Sequence, residues 1–169
     1  AVEAANAAVI EAALNGLGKP GMGCTATCAY IENDTLAIAH VGDSRAYLLH
    51  EGTLIRVTRD HSYVEELVDA GEITADEARV HPNRSVITRA LGSDPAMYAD
   101  HFTLHIEEGD RLILCSDGLS SMIPDSDIEN IATQSSTAQI CVDNLVDAAL
   151  AAGGHDNVTG VVAALVDDG

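Results

Sequence analysis

Pairs of strand-length apolar runs in this chain are joined by very short turns. GCTATCAYI (23–31) leads through Asn33-Asp34 into TLAIAHV (35–41), and RAYLLH (45–50) leads through Glu51-Gly52 into TLIRV (53–57). Strands joined this tightly can only be antiparallel neighbours, because a parallel crossover needs about a dozen residues or more. FTLHI (102–106) and RLILC (111–115) repeat the pattern around Glu108-Gly109-Asp110, and NVTGVVAALV (157–166) reads as a buried closing strand. Helical spacing flanks and interrupts the strands. Val2, Ala5, Val9, Ile10, Ala13, Leu14 and Leu17 line one stripe, ended by Gly16, Gly18 and Pro20. Ser62-x-x-Glu65 and Thr74-x-x-Glu77 are capping-box patterns that open two short helices, the second stopping before Pro82. From about Ser136 to Ala152 one apolar stripe precedes Gly153 at the C′ position. A hairpin-connected sheet with segregated helices is the α+β class.

At 169 residues the chain suits one domain, and 47% hydrophobic content provides a core. With four Tyr, one Phe and no Trp, that core must be built from Ala, Val, Ile and Leu. Eight basic residues against 27 acidic ones give a net charge of −19. Such a surface repels phosphate backbones and anionic lipid, so neither nucleic acid nor a membrane surface is an expected partner. No apolar run reaches the ~20 residues of a membrane helix, and no signal peptide is visible. The chain opens on Ala rather than Met, as a fragment or processed chain would. Cys24, Cys28, Cys115 and Cys141 form no C-x-x-C pair and read as reduced, buried thiols of a cytoplasmic protein.

Three acidic segments share one layout, an apolar strand followed by Asp beside Gly or Asn. They are Gly42-Asp43-Ser44, Ser116-Asp117-Gly118 and His155-Asp156-Asn157. Any one alone reads as a plain turn. Together on one apolar scaffold they suggest hard oxygen ligands for Mg²⁺ or Mn²⁺, since converging carboxylates repel unless a cation neutralises them. His40, His50, His101 and His105 lie in strand patterns without ligand pairing to cysteine or carboxylate, so zinc is not expected. Ser44 and Ser116 lack the elbow and oxyanion signatures of a nucleophilic serine. Asp60-His61 reads as a hydrogen-bonding helix start rather than as catalytic, and His155 as a bystander.

Seven motifs follow one another in order: GMGCTAT (21–27), VGDSRAYL (41–48), TRDHS (58–62), HPNRS (81–85), RALG (89–92), GDRLILCSDGL (109–119) and GGHDNVT (153–159). This series resembles the metal-dependent protein phosphatases, the type 2C serine/threonine phosphatases, in their bacterial branch. The resemblance implies an α-β-β-α four-layer sandwich of two antiparallel sheets flanked by helices. Residues 1–169 are then a single catalytic domain with a flap-like helical insert at about 61–90. By the resemblance Asp117 and Asp156 bind the catalytic metals and act through a metal-activated water, and Asp43 holds a third metal. Two to three Mn²⁺ or Mg²⁺ ions are implied. Arg84, on the flap, contacts substrate or pairs with a carboxylate, and Arg45 pairs with a carboxylate near the site. The implied partners are phosphorylated proteins, including a cognate Ser/Thr kinase and its substrates.

The resemblance also implies parts this chain does not show. No D-G-x-G-G aspartate and no phosphate-gripping Arg precede Gly21, so the first strands of both sheets are expected to be absent and the domain N-terminally incomplete. The rival reading is a non-catalytic phosphoprotein-binding or regulatory scaffold of the same fold.

Overall fold

The computed structural model describes residues 1–166. Along the chain it runs α1 (Val2–Leu14), β1 (Ala26–Glu32), β2 (Thr35–Val41), β3 (Arg45–His50), β4 (Thr53–Arg56), α2 (Tyr63–Asp69) and α3 (Ala75–Val80). It continues β5 (Asp100–His105), β6 (Arg111–Cys115), α4 (Asp117–Ser120), α5 (Asp125–Gln134), α6 (Ala138–Ala151) and β7 (Gly160–Ala164). Two antiparallel sheets result, ordered β1-β2-β5 and β4-β3-β6-β7, with flanking helices. The tight turns take the conformation their residues favour: Asn33, Glu51 and Gly52 all have positive φ, which suits the twist of paired strands. Among the described residues no helix is long and apolar enough to cross a membrane.

The chain forms two compact units. The first comprises residues 1–30, 37–43 and 59–102. Its core gathers Val2, Val41, Leu91, Met97 and Ala99, with Ala26 and Ala39 against them. α1 differs from the expected stripe. Ala5, Leu14 and Leu17 are exposed, while Asn6 is 3% exposed. Asn6 is buried because both ends of its amide are used: Nδ2 donates to the Asp94 carbonyl at 2.8 Å, and Oδ1 accepts from the Gly92 N–H at 2.7 Å. A polar side chain satisfied at both ends can replace an apolar one in the stripe.

The second unit comprises residues 31–36, 44–58 and the chain from 103 onward. Tyr47, Leu49, Ile113 and Cys115 from β3 and β6 pack with Leu119, Ile123, Ile128 and Ala132 and with Cys141, Leu145 and Ala149 of α6. Those three α6 residues stand four apart and form one stripe. The register pairs Tyr47 with Ile113 and Ile113 with Val162. Tyr47 is completely buried, yet its hydroxyl is served. It donates to Asp125 Oδ1 at 2.9 Å and accepts from Arg45 at 3.2 Å. Burial pushes that hydroxyl's pKa well up despite the neighbouring Arg45. Arg45 also faces Asp125 at 3.6 Å.

Two expectations fail here. β7 is not a buried strand: Val161 is 56% exposed, and among the described residues β7 lies at the sheet edge, beside β6. The four cysteines are all free, but only Cys115 and Cys141 are buried. Cys24 and Cys28 lie exposed, along or just before edge strand β1.

His50 and His105 do meet carboxylates, as isolated pairs or exposed contacts. His50 Nδ1 lies 2.8 Å from Asp110 Oδ1, and Asp110 Oδ2 accepts the Glu107 N–H at 3.0 Å. His105 lies 3.5 Å from both Asp34 and Glu107. The hydrogen bond to Asp110 raises the His50 pKa. A raised folded-state pKa means the folded chain holds the proton more tightly. The stabilisation is then complete below the unfolded value of about 6.5 and is lost as pH rises through the folded value. Denaturant titrations across that window should therefore show the parent losing its advantage over His50→Gln as pH rises; a constant difference would contradict the pairing.

Candidate functional site

Asp117 follows the end of β6, and Asp156 precedes the start of β7. The ladder pairs Cys115 with Gly160 and then continues one step through side-chain chemistry. The Ser116 N–H donates to the Thr159 carbonyl at 3.0 Å, and Ser116 Oγ accepts the Thr159 N–H at 3.1 Å while donating to the Asn157 carbonyl at 3.3 Å. Ser116 is thus a strut between two loops, which accounts for a serine there without a nucleophilic role.

Gly118 brings the loops still closer. A Cβ built there would fall 2.3 Å from the Asn157 carbonyl oxygen and 3.5 Å from Asp156 Cβ. Only glycine allows the 156–157 backbone to lie on the first turn of α4. The other loop owes its path to Gly153 (φ +131) and Gly154 (φ +54), which reverse the chain after α6. His155 packs its ring over Gly153. Asp156 Oδ1 then accepts the Asn157 N–H at 2.7 Å. Asp117 is half-buried in the first turn of α4, and Asp156 is exposed.

Asp43 belongs to the first unit, at the end of β2. Gly42 before it has φ +111, and a Cβ on it would lie 2.3 Å from Thr25 Cγ2. Gly42 is held from two sides by one residue. The His61 N–H donates to the Gly42 carbonyl at 2.7 Å, and the Gly42 N–H donates to His61 Nδ1 at 3.0 Å. His61 is 7% exposed. Its Nε2 lies 2.9 Å from Asp100 Oδ2, and Asp100 Oδ1 accepts from Arg89 at 2.7 Å. Arg89 in turn donates to the Tyr98 hydroxyl and stacks 4.1 Å above its ring. Burial pushes Asp100 up, but the hydrogen bonds from His61 and Arg89 prevail and hold its carboxyl below the usual range. His40 stacks on His61 with ring centroids 4.9 Å apart, between Thr27 Oγ1 and the Arg59 carbonyl. Burial, then the neighbouring His61, lowers the His40 pKa.

Arg84 is exposed on the turn after α3, its N–H donating to the His81 carbonyl at 3.1 Å. Sequence reasoning gives His61 a hydrogen-bonding role, which its contacts to Gly42 and Asp100 bear out, but does not foresee the onward links to Arg89 and Tyr98. Asp100 carries no local signal at all. Among the described residues no group of three or more His, Cys, Asp or Glu is gathered as a metal site. The loops that carry Asp117 and Asp156 are stitched together through Ser116, Gly118 and Asn157, and carboxylates are the donor type a hard divalent cation takes.

Comparison with known proteins places this geometry in context. A model of the family described as Protein phosphatase 2C matches residues 12–158. The serine/threonine phosphatase stp of Listeria welshimeri is 36% identical over 158 residues, covering 94% of this chain and 63% of that protein. The chain thus spans somewhat less than two thirds of this relative's length. The crystal structure of serine/threonine phosphatase Stp1 from Staphylococcus aureus superposes with a TM-score of 0.93 at 35% identity, over 98% of this chain and 65% of that one. The catalytic domain of serine/threonine protein phosphatase PstP, in complex with two manganese ions, gives a TM-score of 0.87 at 37% identity, over 98% and 68%.

Proposed function

The chain belongs to the protein phosphatase 2C family, and from that premise we propose that it hydrolyses phosphoserine and phosphothreonine in proteins, opposing a Ser/Thr kinase in the cytoplasm. In this reading Asp117 and Asp156 hold Mn²⁺ or Mg²⁺, Asp43 serves a third ion, and residues 61–90 form a flap on one catalytic domain. The observation that carries it is the stitching of Ser116-Asp117-Gly118 to Asp156-Asn157. Two carboxylates brought onto adjoining loops repel each other unless a cation lies against them.

When bound, such a cation supplies positive charge against the phosphoryl oxygens and acidifies water for in-line attack. The chain's own residues orient the ligands. Asp156 commits Oδ1 to the Asn157 N–H, leaving Oδ2 as the oxygen to offer. Ser116 and Gly118 keep the two carboxylates at one loop junction. Arg84 is the exposed flap cation suited to a phosphate dianion.

A second reading, a non-catalytic phosphoprotein scaffold, draws support from the donor set, since no three or more His, Cys, Asp or Glu are gathered as a metal site among the described residues. A Mn²⁺ titration of the full chain with a phosphothreonine peptide separates the two. The enzyme reading expects turnover that rises with Mn²⁺ and disappears with chelator. Peptide binding without turnover would favour the scaffold, and neither binding nor turnover would overturn both.

A further inference from the structure

We propose that His61 is a positioning residue that sets the direction in which Asp43 leaves β2, acting through the main chain of Gly42. The inference rests on the reading of Asp43 as a metal ligand, but its geometry stands independently. Gly42 is the one residue between the end of β2 and Asp43; it holds a positive φ, and without a Cβ its own sterics do not fix its dihedral angles. His61 replaces that missing preference with two hydrogen bonds, one to each peptide group of Gly42.

The tautomer follows from the donors. A backbone N–H can only donate, so His61 Nδ1 must accept from Gly42, and in the neutral ring Nε2 carries the hydrogen. That hydrogen points at Asp100 Oδ2, 2.9 Å away. Arg89 Nη1, 3.0 Å from Nε2, is also a donor. It is therefore held there by Asp100, which it reaches at 2.7 Å, rather than by the imidazole. The Asp–His pair familiar from hydrolytic sites is here turned inward: its free nitrogen accepts from the backbone instead of from a reacting hydroxyl. Stacking on His40 and a bond from the Thr88 N–H to the His61 carbonyl at 2.8 Å fix the rest of the residue.

Several readouts test this in the full chain. Nitrogen-15 NMR at about pH 8, where a free imidazole is neutral, should find His61 as the Nε2–H tautomer; an Nδ1–H ring would overturn the proposal. In His61→Ala the Gly42 amide should exchange about tenfold faster while amides in the middle of β2 do not change. His61→Asn, which keeps an acceptor oxygen at the place of Nδ1, should restore most of the protection. Equal exchange in all three proteins would overturn the proposal.

Mn²⁺ binding, measured by paramagnetic resonance rather than by activity, adds the functional arm. His61→Ala should weaken the ion lost in Asp43→Asn by about 10- to 100-fold, the range for residues that orient ligands. Weakening in Asp43→Asn but not in His61→Ala would overturn the positioning role. No effect of Asp43→Asn would instead remove Asp43 from the metal reading, with the tautomer and exchange results still deciding whether His61 holds Gly42.

Discussion

Asp117→Asn is expected to retain less than about 1% of Mn²⁺-dependent turnover on a phosphothreonine peptide, a loss beyond the 10- to 100-fold typical of outer partners. The substitution replaces one carboxylate oxygen by an NH2 group and removes the charge while keeping the shape. The α4 main chain does not depend on that charge: the Asp117 carbonyl accepts the Ser121 N–H at 2.8 Å, and Ser116 makes its bonds to 157 and 159 independently. The variant should therefore remain folded, with a single cooperative thermal transition. Asp156→Asn should cost nearly as much activity, and the double variant little more than either alone, because ligands of one centre act as a unit. Substantial turnover in Asp117→Asn at saturating Mn²⁺ would mean that this carboxylate does not hold the catalytic ion. Losses that multiply in the double variant would mean that the two aspartates serve separate sites.

The bonds from Ser116 to Asn157 and Thr159 depend on strand register and are not legible in the sequence, whereas the hairpins are. The hairpin strands were legible because their period and their turns are local properties. β2, β3 and β6 have the bounds that apolar alternation predicts, and Thr74 with Glu77 closes a full capping box. Gly153 stands just past the end of α6, as its C′ placement predicts. α5 has no such local mark. Its two buried residues, Ile128 and Ala132, are diluted among acidic and polar neighbours. The contacts that anchor it come from afar, with the Leu54 N–H donating to Glu129 and Arg111 donating to the Ala132 carbonyl. The exposure of Cys24 and Cys28 is likewise set by which strand lies at a sheet edge, a matter of topology.

The site divides in the same way. Asp beside Gly marks a candidate ligand in the sequence, but Gly118 has its function only because the register of β6 against β7 brings Asn157 onto it. His61 and Asp100 are 39 residues apart, and no periodicity or motif couples them. Composition supplied the broadest constraint. With so few aromatics, the second unit commits a single one, Tyr47, to its buried core and spends two charged residues, Arg45 and Asp125, on satisfying its hydroxyl.

Gly42→Ala is expected to destabilise the chain by about 3–5 kcal/mol, combining positive-φ strain with overpacking. Both causes act at the same atom. At φ +111 an alanine is strained whatever space surrounds it, and its Cβ would lie 2.3 Å from Thr25 Cγ2, 2.5 Å from Thr25 Cβ and 3.1 Å from Thr25 Cα. Thr25 cannot swing its side chain clear, because Cβ moves only with the backbone. The residue also cannot relax to negative φ without breaking the two bonds to His61. Against a typical domain stability of about 5–15 kcal/mol, such a loss is large enough to read directly from denaturant curves. The steric share can be separated from the conformational one by adding Thr25→Gly, which removes two of the three overlapping atoms. The double variant should regain about 1–2 kcal/mol relative to the sum of the singles, since residues in direct contact couple on that scale. The remaining loss should persist as positive-φ strain, which no change at Thr25 can relieve. If the two substitutions proved additive, Thr25 would not be what confines Gly42, and the requirement for glycine there would rest on backbone conformation alone.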